Sequence, residues 1–478
     1  MNKSVASRVA LLLPQRVRWH TIAVVAACIL AGILFGRLAI VHPLAGPLVL
    51  GAGLLSLAAL SNHQITIFTV AAICYLLPFA VVPVPIGSVR LTFLDLALSG
   101  ALFLWMTRIL MGKETAIRVT PVGVPLLVFI GLIITSLLLS FNTVTGESLR
   151  LFLKMVNSIL IYFTIVNTVN SERLIRQLTL VMVVAAAEQA VLALFLYFVP
   201  SEAAVRALSA LSPLGYPAGP EVLRYIAGTH TLRAIGTSID PNVLGGTLLL
   251  VLPLFAALFF SKHRLLPRPL LVAMGLAVLA ALLLSYSRSA WVGAAAGVLF
   301  VATFKYRRAW LLFALVGVAL LILPAGSEFV ERFQSGLFFQ DRAAQMRLGE
   351  YKDALRLISQ YPWLGVGFGS SPQLDLYVAA SSIYLLIAEQ VGLVGLSAFL
   401  ASVVVFLVWN IRRRQAVSMM ALDSIHIGAM GGVLGALVAG IFAHYFFNLK
   451  FPHTIALFWL FVGLTMAAAG DWGERGES

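Results

Sequence analysis

The sequence predicts an all-α, polytopic membrane helix bundle of twelve to fourteen transmembrane helices, with a long extracytoplasmic loop before the last three. Three observations carry that expectation. Of 478 residues, 60% are hydrophobic and 11% charged, and mean hydropathy is +0.98; soluble domains carry about 25% charged residues. The apolar residues also gather into runs near the ~20 residues that cross a hydrocarbon core. Finally, basic residues collect in alternate short connections, the pattern that fixes orientation in a bilayer.

In chain order the qualifying runs lie near 20–36, 43–60, 65–84, 91–111, 121–141, 149–169, 177–199, 243–261, 269–285, 290–304, 309–325, 383–411, 427–446 and 454–470. Several are short, hence the range. The basic stretch of Lys3, Arg8, Arg16 and Arg18 precedes the first run without a small-residue cleavage pattern, so that run reads as a retained helix. With the N-terminus inside, the inner segments collect Lys3 through Arg18, then Arg108, Lys113 and Arg118, then Arg173 and Arg176. They continue with Lys262, Arg264 and Arg268, with Lys305, Arg307 and Arg308, and with Arg412, Arg413 and Arg414, ending at Arg475. That places both termini in the cytoplasm of a bacterial inner-membrane, multi-pass protein. It also accounts for most of the net charge of +14, which in a soluble chain would suggest nucleic acid. Cys28 and Cys74 both fall in apolar runs, so neither a disulfide framework nor thiolate metal chemistry is indicated.

The chain reads as a single integral membrane domain, 1–478, without repeats. Two long segments fall outside, roughly 200–236 and 326–382, and connections of that length in a compact bundle are usually functional. In the second, Leu348, Tyr351, Leu355 and Ile358 recur at three- and four-residue spacing, which suits an amphipathic helix ended by Pro362.

Arginines on the outer side are not asked for by topology, and three stand out. Arg233 leads into Asp240-Pro241-Asn242, a helix start with an Asx-type cap. Helix N-termini favour anions, and a guanidinium adds bidentate reach to phosphate oxygens. Arg288 sits in a tight turn with Ser287, Ser289 and Trp291, where it could snorkel and Trp291 could anchor the interface, or both could meet phosphate or sugar. Arg347 belongs to the amphipathic stretch with Glu350 and Asp353, where a solvated face of ion pairs is the plain alternative. Inside the runs, Lys154 with Arg150 one turn earlier could meet an anionic headgroup or snorkel. Asp95, Glu188 and Glu389 could pair with basic groups or begin a proton path.

In their order these segments resemble the O-antigen ligase and O-antigen polymerase family of membrane glycosyltransferases. The resemblance spans roughly 230–400 and rests on Arg233 through Gly245, Ser287-Arg-Ser-Ala-Trp291, Arg347 through Gly369, and Ser381 through Gly395, which includes Tyr384. It implies transfer of a saccharide from a polyprenyl diphosphate carrier to an acceptor hydroxyl on the outer face, with neither metal nor nucleotide sugar. Arg233, Arg347 and Arg288 would hold the diphosphate, with Lys154, Arg150, Asp240, Asn242, Ser287, Trp291 and Tyr384 lining the substrate. The partners implied are a polyprenyl diphosphate-linked oligosaccharide, membrane lipid and polysaccharide-assembly proteins, without nucleic acid. One departure stands out: the family pattern has His-Asn where this chain has Ser381-Ser382. A serine hydroxyl is no general base at neutral pH, whereas imidazole is. His230, His444 and His453 are the outer histidines that could substitute. The missing histidine favours polymerase over ligase. A flippase or secondary transporter is the rival of another class, although no internal repeat points to one.

Overall fold

A computed structural model describes residues 62–82, 91–112, 117–226, 228–311, 314–315, 317–318, 331–332, 334, 342–369 and 380–470. By contacts the chain divides into Met1–Ser61 and Asn62–Ser478, and the second unit is the one described. The expected spans at 20–36 and 43–60, the basic N-terminus, Cys28, Lys113 and Arg475 therefore lie outside the described residues, as do most of the 309–325 run and much of 326–382.

The described unit is helical, as the sequence predicts. Its helices are α1 (His63–Leu76), α2 (Phe93–Leu110), α3 (Gly123–Leu139), α4 (Gly146–Thr168), α5 (Glu172–Phe198), α6 (Ser201–Ser209) and α7 (Pro241–Phe260). They continue with α8 (Arg268–Leu284), α9 (Arg288–Phe304), α10 (Arg342–Gln360), α11 (Ile383–Arg412), α12 (Arg414–Ser418), α13 (Asp423–Ala439) and α14 (Pro452–Ala468). Five of these, α2, α4, α5, α7 and α11, are long and apolar enough to cross a membrane; α1, α3, α8, α9, α13 and α14 are shorter apolar helices beside them. A two-residue antiparallel hairpin, β1 (Arg224–Tyr225) and β2 (Leu232–Arg233), is the one named sheet among the described residues.

Four of the five long helices start where the sequence supplies a cap. Thr92 and Asp95 close a capping box on α2, Thr145 and Ser171 cap α4 and α5, and Asp240 caps α7 with Pro241 in the first turn. At the centre α7 packs against α9 and α13, with 83% of its apolar window buried. Glycines draw these helices together. A Cβ at Gly293 or Gly297 would come within 2.5 Å of the Gly435 or Gly431 carbonyl oxygen, so the α9 and α13 backbones touch along two small-residue stripes spaced by four. Close approach through such stripes is how helices associate where lipid removes any hydrophobic drive between them.

The expected span at 383–411 is a broken helix. Gly392 has φ +78° inside α11, which opens the backbone hydrogen-bond ladder there. The Tyr361–Gly369 segment fills the opening: Leu393 N–H donates to Pro362 O at 2.7 Å, Val366 N–H to Glu389 O at 2.8 Å, and Gly367 N–H to Gln390 O at 3.0 Å. Ser136 of α3 donates to the same Gln390 carbonyl at 2.6 Å. Broken backbone at membrane depth persists only where protein satisfies it, and here it does.

The connections separate into two ends. One gathers the α1–α2, α3–α4, α5–α7, α8–α9 and α13–α14 connections, tied by Val81 N–H to Leu214 O (2.7 Å), Ala234 N–H to Leu284 O (2.9 Å) and Ile383 N–H to Gly440 O (2.9 Å). The other holds the basic connections. There Asp423 bridges Lys305 and Arg414, and Arg413 donates to Ala469 O at 3.1 Å. This is the grouping that the basic-residue count predicts.

Candidate active site

The hairpin ends on Arg233, opposite Arg224 in register. Like charges facing across a ladder repel, and the two diverge: Arg224 is exposed, whereas Arg233 is half-buried. Arg233 Nε donates to Ser285 O at 2.8 Å in the α8–α9 turn, and an Nη donates to Asn242 Oδ1 at 2.9 Å in the first turn of α7. Asp240 Oδ1 in turn accepts the N–H groups of Asn242 (2.7 Å) and Val243 (3.1 Å). The guanidinium is thus held across a helix N-terminus by two of its five N–H groups, and the rest are left for a ligand.

Arg288 opens α9 immediately after Ser287, which is buried, with its Oγ 3.4 Å from Ser289 Oγ. An Arg288 Nη donates to Arg332 O at 3.2 Å. The preceding Tyr286 is held at φ +50°, a conformation a bulky residue seldom adopts, which sharpens the turn. Arg347 lies on α10, which runs over 342–360 as the periodicity predicts.

The three arginines lie within electrostatic reach of one another. Burial, and then the charges of Arg332, Arg347 and Arg288, press the Arg233 guanidinium from 12.5 down to about 10, against the raising influence of Asp240. Burial and Arg288 likewise lower Arg347, with Tyr351, Glu350 and Tyr445 opposing. Four arginines from a hairpin, a turn and the long outer segment thus share one neighbourhood above the start of α7, with few acids among them. Such like-charge crowding is a mark of a binding or catalytic centre. An apolar cleft of about 220 Å³ lies behind the Gly236–Ile239 turn, lined by residues such as Leu208, Tyr216 and Ile239, and the arginines do not border it.

The remaining predicted residues divide. Lys154 is paired with Asp95 at 2.6 Å, so the carboxylate that completes the α2 cap also holds this ammonium, and no described contact ties Lys154 or Arg150 to the arginines. Its use as a headgroup contact is replaced by an ion pair between helices, since a buried ammonium keeps its charge most readily beside a carboxylate. Trp291 donates its indole N–H to Leu282 O at 3.0 Å, and the Tyr384 hydroxyl donates to Leu437 O at 2.8 Å, so both polar tips are spent on helix carbonyls. Ser382 Oγ donates to Gly440 O at 3.3 Å, and Ser381 N–H to Glu350 Oε2 at 3.1 Å, which seats the serine pair between α10 and the α13–α14 connection. Of the histidines, His230 is exposed at the hairpin tip, and His453 is sealed against Phe79 with ring centroids 4.9 Å apart. His444 alone falls within reach of the charges of Asp240 and Arg347.

Three residues escape the sequence reading. Arg332 joins the cluster from a segment where nothing distinguishes it from its charged neighbours. Tyr445 reaches the same charges from the α13–α14 connection. Gln189, fully buried in α5, holds the turn before Asp240, where Gly236 (φ +54°) and Ile239 (φ +63°) are both left-handed. Its amide meets Ser238 Oγ at 3.1 Å and Thr237 Oγ1 at 2.9 Å, and Thr237 Oγ1 also donates to Leu76 O at 2.7 Å. One hydroxyl has one proton, so the amide is best oriented with nitrogen toward Thr237 and oxygen accepting from Ser238; every group is then satisfied. A glutamine within an apolar helix was the available signal.

A bundle of apolar helices with a crowded arginine centre over one end is a multi-pass membrane protein in architecture. Residues 270–400 match the O-antigen ligase family model, a stretch that holds Arg288, Arg347 and the break in α11 but ends before the α13–α14 connection. That match supports a likeness of residues 270–400 to the O-antigen ligase and polymerase family of multi-pass membrane proteins. No curated protein matches it.

Proposed function

We propose that the protein is a glycosyltransferase that polymerises O-antigen or exopolysaccharide on the outer face of the inner membrane. It would take a saccharide from a polyprenyl diphosphate carrier and join it to an acceptor sugar hydroxyl. The observation that carries this reading is the convergence of Arg233, Arg288 and Arg347, with Arg332, on the N-terminus of α7. A diphosphate is a good leaving group once its charge is neutralised, so the main task is to place donors where charge develops. The arginines do this from fixed positions and take the electrostatic part that a metal ion holds in other transferases. The mutual repulsion that lowers Arg233 and Arg347 is relieved when an anion enters, which favours the departing diphosphate.

The test is direct. Purified protein in nanodiscs is offered a polyprenyl diphosphate-linked oligosaccharide, alone and with lipid or protein acceptors. A ladder of products without added acceptor supports polymerisation. Transfer only to an added acceptor makes the enzyme a ligase, and movement of the donor across the bilayer without a new glycosidic bond makes it a flippase.

A further inference from the structure

The α13–α14 connection, Gly440–Phe451, lies beyond the matched residues yet meets the arginine centre. It is anchored by Ile383 N–H, which donates to Gly440 O at 2.9 Å and Ala443 O at 3.1 Å. From α10, the Tyr351 hydroxyl lies 3.2 Å from Ser381 O and 3.3 Å from Ile441 O, closing over the connection. One side chain in it is incomplete. His444 Nδ1 is buried and among the described residues has no hydrogen-bond partner, whereas the neighbouring Tyr445 hydroxyl turns to the Ser289 side chain. Leaving such a group unpaired costs about 1–3 kcal/mol, so a native site that keeps one beside the arginines calls for a ligand.

We propose, resting on the transferase reading above, that this connection forms the acceptor half of the site, with His444 Nδ1 as the general base for the attacking sugar hydroxyl. The ring is oriented for it. The Ala380 backbone engages the ring, and Nδ1 is the nitrogen left without a partner, so a tautomer with its lone pair on Nδ1 can accept a proton there. The charged and titratable groups around it are Asp240 and Arg347, with Glu350, Tyr351 and Tyr445 next to them. In the reaction the hydroxyl proton passes to Nδ1 while the hydroxyl oxygen bonds the anomeric carbon of the donor. The bond from that carbon to the diphosphate oxygen breaks, and its electron pair leaves with the diphosphate toward Arg347 and Arg233. The imidazolium then returns its proton to solvent. Tyr445, facing the same arginine, donates a hydrogen bond to a phosphate oxygen and keeps its proton.

The donor prepares the base. Burial, and then Arg347, press the His444 ring from 6.5 to about 4, with Asp240 opposing, so the resting imidazole is neutral and weakly basic. A diphosphate that neutralises Arg347 removes part of that pressure and moves the ring toward the useful range only once the donor is seated.

The experiment compares wild type with His444→Gln in nanodiscs, measuring donor binding and turnover separately across pH. General-base loss predicts a roughly 100- to 10,000-fold fall in turnover with donor affinity unchanged. It also predicts that the acid-side fall in rate, present in wild type, disappears from the variant. Turnover within threefold of wild type, a loss matched by weaker donor binding, or an unchanged acid limb overturns the assignment. A second variant, His444→Ala, is assayed with added imidazole: a rate that rises with imidazole supports the base, and an indifferent rate overturns it. If wild type itself makes no glycosidic bond, the transferase reading fails and this assignment with it.

Discussion

Arg233 spends two N–H groups on Ser285 and Asn242, and what remains of its planar fork is the part that would meet the diphosphate under the proposed function. Lysine would keep the charge but lose that geometry. Arg233→Lys and Arg347→Lys are therefore each expected to cut turnover about a hundredfold, the ~3 kcal/mol of one contact made mainly in the transition state, with folded yield retained. Exposed Arg412 at the opposite end is the control, and Arg412→Lys should leave the rate unchanged. His444 supplies a stability prediction of definite sign. Its folded-state value near 4 is depressed from 6.5, so the unfolded chain binds the proton more readily between those values. The contribution is whole above pH 6.5 and is lost as pH falls toward 4. Melting temperature should fall more steeply between pH 6.5 and 4.5 in wild type than in His444→Gln. At this scale the sequence shows charge out of place but not company: Arg233, Arg288 and Arg347 are visible because topology does not ask for them. Lys154 looks alike and proves to be paired with Asp95 across 59 positions of chain. Linear spacing carries no such information.

Among elements, the caps and amphipathic periodicity that announced α7 and α10 were readable because each is local. The break in α11 was half readable. A run of 30 residues is longer than a membrane needs, and Gly392 lies inside it, yet only the docking of Tyr361–Gly369 shows what the glycine allows. Any side chain at Gly392 would strike the Trp363 carbonyl and would also suffer the positive φ, so Gly392→Ala should lower melting temperature and activity together. The seam between α9 and α13 makes a sharper case. Gly293→Leu or Gly435→Leu would drive side-chain atoms into facing backbone, and overpacking on that scale costs about 1–3 kcal/mol or more. Either variant is expected to reduce the monodisperse fraction on size exclusion. Leu276→Ala, exposed on α8, should not. Glycines so spaced in α9 and α13 were legible as small residues, but their partners belong to tertiary structure.

For the described molecule as a whole, the two ends differ in kind. One carries basic connections with Asp423 as a bridging acid, and the other carries the arginine centre. We propose, from the positive-inside rule, that the first faces the cytoplasm. Cysteines at exposed Ala218 and His230 should then react with an impermeant thiol reagent on intact cells, whereas cysteines at Lys262 and Arg412 should react only after permeabilisation. The reverse pattern would remove the arginines from the side where the proposed donor is presented. The division into ends was legible from charge alone. The centre itself was not, since it depends on a hairpin, a turn and an outer helix meeting over α7.

The glycine seam and the outer helix α10 make the centre work like a vice. Arg288 starts α9, and His444 follows α13 after a short turn, so both ride on helices locked backbone to backbone; they are the fixed jaw. Arg347 rides on α10, which is tied to that jaw by hydrogen bonds at Tyr351 and Glu350. Under the transferase reading a donor is gripped between charges set by the glycine seam and a charge set by α10, so a change in how α10 seats alters the grip without moving the fixed jaw.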